Sequence, residues 1–161
     1  MPDGRTHKAI GAGAGMAFAL YRAKDQNGQN SLAEVAGGAA GGYIGGLLPD
    51  ILEPAVSSWH RDVAHSWAAG GAIISLNNWL SAWETACREN AEKCRAIPMV
   101  ARGAGFVPVT VDPLAQFLST IAELFWRFLA GLLNGLVAGY VSHLALDAAT
   151  PRSIPLLTAG F

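Results

Sequence analysis

The sequence predicts an all-α domain, a bundle of about four to six helices. Three observations carry this. No stretch alternates apolar and polar residues with β-branched enrichment for long; "FVPVTV" (residues 106–111) is the one β-like run, and Pro108 breaks it. The apolar stretches have helical lengths and are opened by helix-starting residues. Hydrophobic residues make up 52% of the 161 and charged residues only 14%, with nineteen glycines lying mostly inside apolar runs. The chain has the length of one domain, and all of 1–161 is read as such.

The first helix is expected over residues 7–24, followed by the polar turn "KDQNGQN". Ser31 as N-cap with Glu34 three residues on makes a capping box for the second helix, which runs through "VAGGAAGGYIGGLL" to Pro49-Asp50. The third is expected from about residue 58 to about residue 95. "AIPMVARGAGFVPVTV" reads as a linker, its β-like part extended. Asp112 as N-cap and Pro113 at the first helical position open the last helix, which ends before Pro151.

A formal net charge of −1 gives no bulk pull toward nucleic acid, and no basic patch for it is evident. The mean hydropathy is +0.30. The N-terminal apolar stretch contains His7 and Lys8 and lacks a convincing cleavage site, so it reads as retained. Uncharged runs cover 35–49, 66–83 and 128–142, which are 15, 18 and 15 residues long. Each is borderline against the about 20 residues of a membrane span. Gly38-x-x-x-Gly42, Gly41-x-x-x-Gly45 and Gly131-x-x-x-Gly135-x-x-x-Gly139 tip the balance toward lipid, because small residues let helices approach closely there. The expectation is a protein in or on a membrane, with a soluble form as the alternative. Cys87 and Cys94, seven apart, read as two thiols on one helix: a rise of about 10.5 Å is too long for a disulfide.

The chemistry gathers at the four histidines. His7 opens the first helix, His60 and His65 lie at the start of the third, and His143 lies near the end of the last. In an up-and-down arrangement these helix ends share one side of the bundle. "LPDILEP" brings Asp50 and Glu53, "HRDVAH" adds Arg61 and Asp62, and "SHLALD" sets His143 and Asp147 four apart on one helix face. His60 and His65 are about 140° apart on a helix, so helix proper is expected from about Arg61, with Asp62 and His65 on one face. Any one of these residues is ordinarily a satisfied core histidine, a cap or a surface pair. Together they point to a metal site, since buried ionisable groups are costly unless paired or ligating. Imidazole mixed with carboxylate suits zinc, with manganese or iron as alternatives. The number of candidate ligands exceeds what one tetrahedral zinc needs, which implies two or three ions. Such ions commonly activate water and clamp a phosphoryl oxygen.

Thr6-His7, "LLPD" (47–50), "HRDVAHS" (60–66) and "GYVSHLALDAATPRSIPLL" (139–157) resemble, in order, the motifs of the YdjM-type membrane-bound metal-dependent hydrolases. That family is grouped with zinc-dependent phospholipase C and the single-strand-specific zinc nucleases, all-helical enzymes that cleave phosphate esters. The resemblance implies His7, Asp50, His60, His65, His143 and Asp147 as metal ligands, with Ser66 and Ser142 supporting them. It also implies a place at a bacterial inner membrane, integral or peripheral. Two departures stand out. The family often carries a further Asp-His after L-P-D, where this chain has Leu52 and Glu53. Asp62 and Ala64 replace the Gly and Thr of its H-R-G-x-T-H. The expected function is a metal-dependent phosphoesterase acting on a phosphate ester or phospholipid. Arg61 would stabilise charge and Asp62 or Glu53 would serve as general base. The expected partners are membrane lipid, a phosphate-containing substrate and further copies of the chain. The alternative is a non-catalytic membrane or partner-binding protein with a structural or vestigial metal site.

Overall fold

A computed structural model describes residues 4–25, 28–54, 64–103 and 112–149. The described chain is all-α, with four long helices, α1 (Gly4–Arg22), α2 (Gly28–Gly45), α4 (Trp67–Gly103) and α5 (Pro113–Ala148), and one short helix, α3 (Leu48–Leu52). The long helices run alternately up and down. α5 is the central one and touches each of the others. Among the described residues it alone is long and apolar enough to cross a membrane.

Glycine decides how closely these helices pack. α2 presents glycine on two faces. Gly38 and Gly42 meet Gly15 and Gly11 of α1, while Gly37, Gly41 and Gly45 lie against the backbone of α5. α5 answers with Gly131, Gly135 and Gly139, which sit on the carbonyls of Glu34, Gly38 and Gly42. A side-chain carbon at Gly139 would stand 2.8 Å from Gly42 Cα, backbone against backbone. The seams therefore close only with small residues, as in membrane helix pairs.

The Asp112 cap forms as expected: its carboxylate accepts from Leu114 N at 3.0 Å, with Pro113 in the first turn. Other expectations are corrected. α2 begins at Gly28, so Ser31 lies inside it, where its hydroxyl donates to Ala23 O at 3.2 Å. Glu34 does not close a capping box; it accepts from Arg88 of α4 at 2.5 Å and faces Arg127 of α5 at 3.5 Å. Partners distant in sequence outbid the local bond. α2 also stops at Gly45, and Pro49 and Asp50 belong to α3. The third long helix starts later than expected, at Trp67, with Ser66 Oγ accepting from Ala69 N at 3.1 Å. It then continues through Pro98 to Gly103, where a linker was expected. A proline removes one N–H and crowds one carbonyl, which disfavours a helix without forbidding it. "FVPVTV" lies outside the described residues. Cys87 and Cys94 are free thiols on α4, as expected.

Charges of the helices fall into two layers. At the far end, Arg22 of α1 holds Glu84 of α4 through bonds of 3.2 and 2.6 Å, Arg88 joins Glu84 and Glu34, and Arg127 meets Glu34 and Glu92. Glu34, Glu84 and Arg127 are buried. The other layer contains the histidines.

Candidate metal centre

The up-and-down course returns three helix ends and α3 to one place. α1 contributes His7 near its start, and α5 contributes His143 and Asp147 near its end. α3 follows the tight turn after α2 and presents Asp50. His65 sits in the turn just before α4, held there by Ser66 capping the helix and by Tyr140, whose hydroxyl donates to Ala64 O at 2.5 Å.

Two triads result, His7–His143–Asp147 and Asp50–His65–His143, each with its ligand atoms within 4.8 Å of one another. Asp147 turns one oxygen to each side. Its Oδ1 lies 3.5 Å from His7 Nε2, while its Oδ2 lies 3.5 Å from His143 Nε2 and 3.9 Å from His65 Nε2. Asp50 Oδ1 stands 3.4 Å from His65 Nε2 and 3.7 Å from His143 Nε2. His7 and His143 stack with ring centroids 3.8 Å apart.

The second nitrogens fix two of the three rings, those of His143 and His65. His143 Nδ1 donates to Gly46 O at 2.7 Å, and His65 Nδ1 meets Glu53 Oε2 at 3.2 Å. A neutral imidazole that donates from Nδ1 carries a lone pair on Nε2. His143 Nε2 is buried, has no hydrogen-bond partner, and faces the carboxylate oxygens of Asp50 and Asp147. Lone pair facing lone pair in a buried site calls for a cation between them. A proton on His143 or a bound metal ion would supply that cation. The set of three imidazoles and two carboxylates is the chemistry of zinc, manganese or iron sites.

The model of one protein family, described as YdjM inner membrane protein, matches residues 1–158. The chain belongs to that family. No curated protein and no solved structure matches it. Membership in the YdjM family and the long apolar α5 together put the chain at the inner membrane.

Of the residues singled out in sequence, the structure brings His7, His65, His143, Asp50 and Asp147 together, with Glu53 behind His65 on the nitrogen facing away from the other ligands. The expected common helix face of Asp62 and His65 does not form as drawn, because His65 precedes the helix; Asp62 itself, with His60 and Arg61, lies outside the described residues. Ser66 caps α4, and Ser142 Oγ donates to Gly139 O at 2.8 Å within α5. Sequence reading missed two supports of this YdjM chain. The Gly46 carbonyl carries no side-chain signal. Tyr140 stands inside the "GYVSH" motif, where a buried hydroxyl demands an acceptor.

Proposed function

We propose that this chain is a metal-dependent hydrolase acting on a phosphate ester, with a phospholipid as the favoured substrate. The observation that carries the reading is the buried His143 Nε2, aimed at two carboxylates with its ring fixed by Gly46 O. His65, His143, Asp50 and Oδ2 of Asp147 would hold one ion. A single Nε2 serves one ion, so His7 with Oδ1 of Asp147 would begin a second site. His60, outside the described residues, is the natural candidate to complete it. When bound, zinc supplies Lewis acidity, making water acidic enough to attack and neutralising charge on a phosphoryl oxygen.

The chain's own residues divide the remaining work. Glu53 and the Gly46 carbonyl orient two of the imidazoles and raise their basicity. Burial of His7, His65, His143 and Asp147 keeps bulk water out. Asp50 is the open side, with its side chain 44% exposed. Ile51 and Leu52 beside it are 63% and 64% exposed, an apolar rim that suits an acyl-bearing ester better than a free sugar phosphate. Arg61 and Asp62 remain proposed as charge-stabilising group and general base.

The test is cleavage of a phospholipid, read as diacylglycerol, phosphatidic acid or freed head group, and of a soluble aryl phosphate, read as the freed phenol, by the protein in detergent, before and after chelation and zinc return. Chelator-sensitive cleavage that returns with metal and favours the lipid supports the reading. Metal-loaded protein that cleaves neither leaves the site a structural one.

A further inference from the structure

The two charged layers bound a slab. Between them residues 9–21 of α1, 35–49 of α2 and α3, 67–83 of α4 and 128–142 of α5 contain no Asp, Glu, Lys, Arg or His. These stretches are in register because both of their ends are tied. His7–Asp147 and His65–Asp50 join one end, and Arg22–Glu84, Arg88–Glu34 and Arg127–Glu34 join the other. From His7 to Arg22 is about 22 Å of helix and from Arg127 to His143 about 24 Å, at 1.5 Å per residue.

The outside of this slab is apolar. Ile10, Met16, Leu20, Tyr43, Ile44, Ile74, Leu76 and Trp79 are all exposed along it. Its rims carry the residues that favour a lipid–water boundary. Lys8 lies over the Tyr43 ring at 5.9 Å at the histidine end, and Lys24 over the Tyr21 ring at 5.2 Å at the other, where Trp79 and Trp83 also pair. A bilayer's hydrocarbon core is about 30 Å thick. The few ångströms of difference are within what snorkelling lysines and arginines and local thinning absorb. Taken singly, α1, α2 and α4 fall short of an independent span, yet in the bundle their apolar residues share one belt with α5.

We infer that α1, α2, α4 and α5 all cross the bilayer, with the His/Asp centre at one membrane face and the Arg/Glu layer at the opposite face. The buried far charges are tolerated at that depth because they neutralise one another inside the protein. The centre then opens to one compartment only, on the side where Ile51 and Leu52 meet the lipid boundary. This placement does not depend on what the centre does chemically.

Single cysteines test it. In a Cys87→Ala, Cys94→Ala background, Arg5→Cys marks the histidine end, and Lys93→Cys and Lys24→Cys mark the other; all three positions are exposed. Each is treated with a membrane-impermeant maleimide in spheroplasts, in inverted inner-membrane vesicles, and after detergent. Arg5→Cys should label in one preparation and lose its label in the other, while Lys93→Cys and Lys24→Cys show the reverse. Labelling of both ends from the same side overturns the inference. So does an end that labels from neither side until detergent is added, since it would then lie within the membrane.

Discussion

Replacing Gly135 by alanine should open the seam between α2 and α5, whereas the same change at Gly13 should tighten the protein. A methyl at Gly135 would stand 2.7 Å from Gly42 N and nearer still to the Gly38 carbonyl oxygen. Ordinary contact begins at 3.4 Å, and both obstacles are backbone, with the Gly38 oxygen the closer, so the added carbon and that carbonyl must part by more than an ångström. Overpacking of this kind reaches about 3 kcal/mol. Alanine recovers about 1 kcal/mol over glycine within a helix, which leaves a net loss of about 2 kcal/mol. Gly13 has nothing within 4 Å, so there only the gain of about 1 kcal/mol applies. For a chain of this size the melting temperature moves by about 2–4 °C per kcal/mol. Far-UV circular dichroism melts in detergent should therefore fall by about 4–8 °C for Gly135→Ala and rise by about 2–4 °C for Gly13→Ala. Parting the seam also stretches the His143–Gly46 bond two turns away, so metal affinity should drop with stability in the first variant alone. Two variants that shift in the same direction, or a Gly135→Ala protein melting at or above the parent, would refute the close-packing argument.

Three further outcomes are expected. Glu53→Gln should leave the fold intact and weaken metal binding by about 10–100-fold, read by competition titration against a chelating dye, because Glu53 fixes the His65 ring. Glu34→Gln removes the carboxylate shared by Arg88 and Arg127, and thermal unfolding should register a loss of about 3–5 kcal/mol; an unchanged melt would mean that the far layer does not hold α4 in place. Tyr140→Phe deletes the bond to Ala64 O, which should cost about 1 kcal/mol and speed metal release measured by chelator chase.

What the sequence disclosed follows from the range of each signal. The Asp112-Pro113 start of α5 and the four-residue spacing of His143 and Asp147 are local, and both are found as the spacing dictates. The glycine repeats on α2 and α5 announced close packing, and α5 indeed sits on α2 at Gly131, Gly135 and Gly139. That they also seat α1 is announced by the same four-residue spacing of Gly11 and Gly15 in "GAGAG", a repeat the sequence reading passed over. Ser31 and Glu34 show the limit. Their spacing fits a capping box, but the carboxylate goes to arginines 54 and 93 residues away, and no local pattern encodes that choice. The support of His143 is equally hidden, being the carbonyl of Gly46, 97 residues distant. The continuation of α4 through Pro98 was obscured by a residue that ordinarily marks a boundary. Charge-free runs that looked too short to span singly acquire meaning only when the fold sets them side by side.

The most direct test is the metal content of the protein, purified without chelator and measured by inductively coupled plasma mass spectrometry beside a His65→Ala, His143→Ala variant. The account predicts bound zinc, manganese or iron in the parent, at least one ion per chain, and its loss in a variant that still folds. A parent that carries no metal and takes none up on reconstitution, or a variant that keeps the full complement, would contradict it.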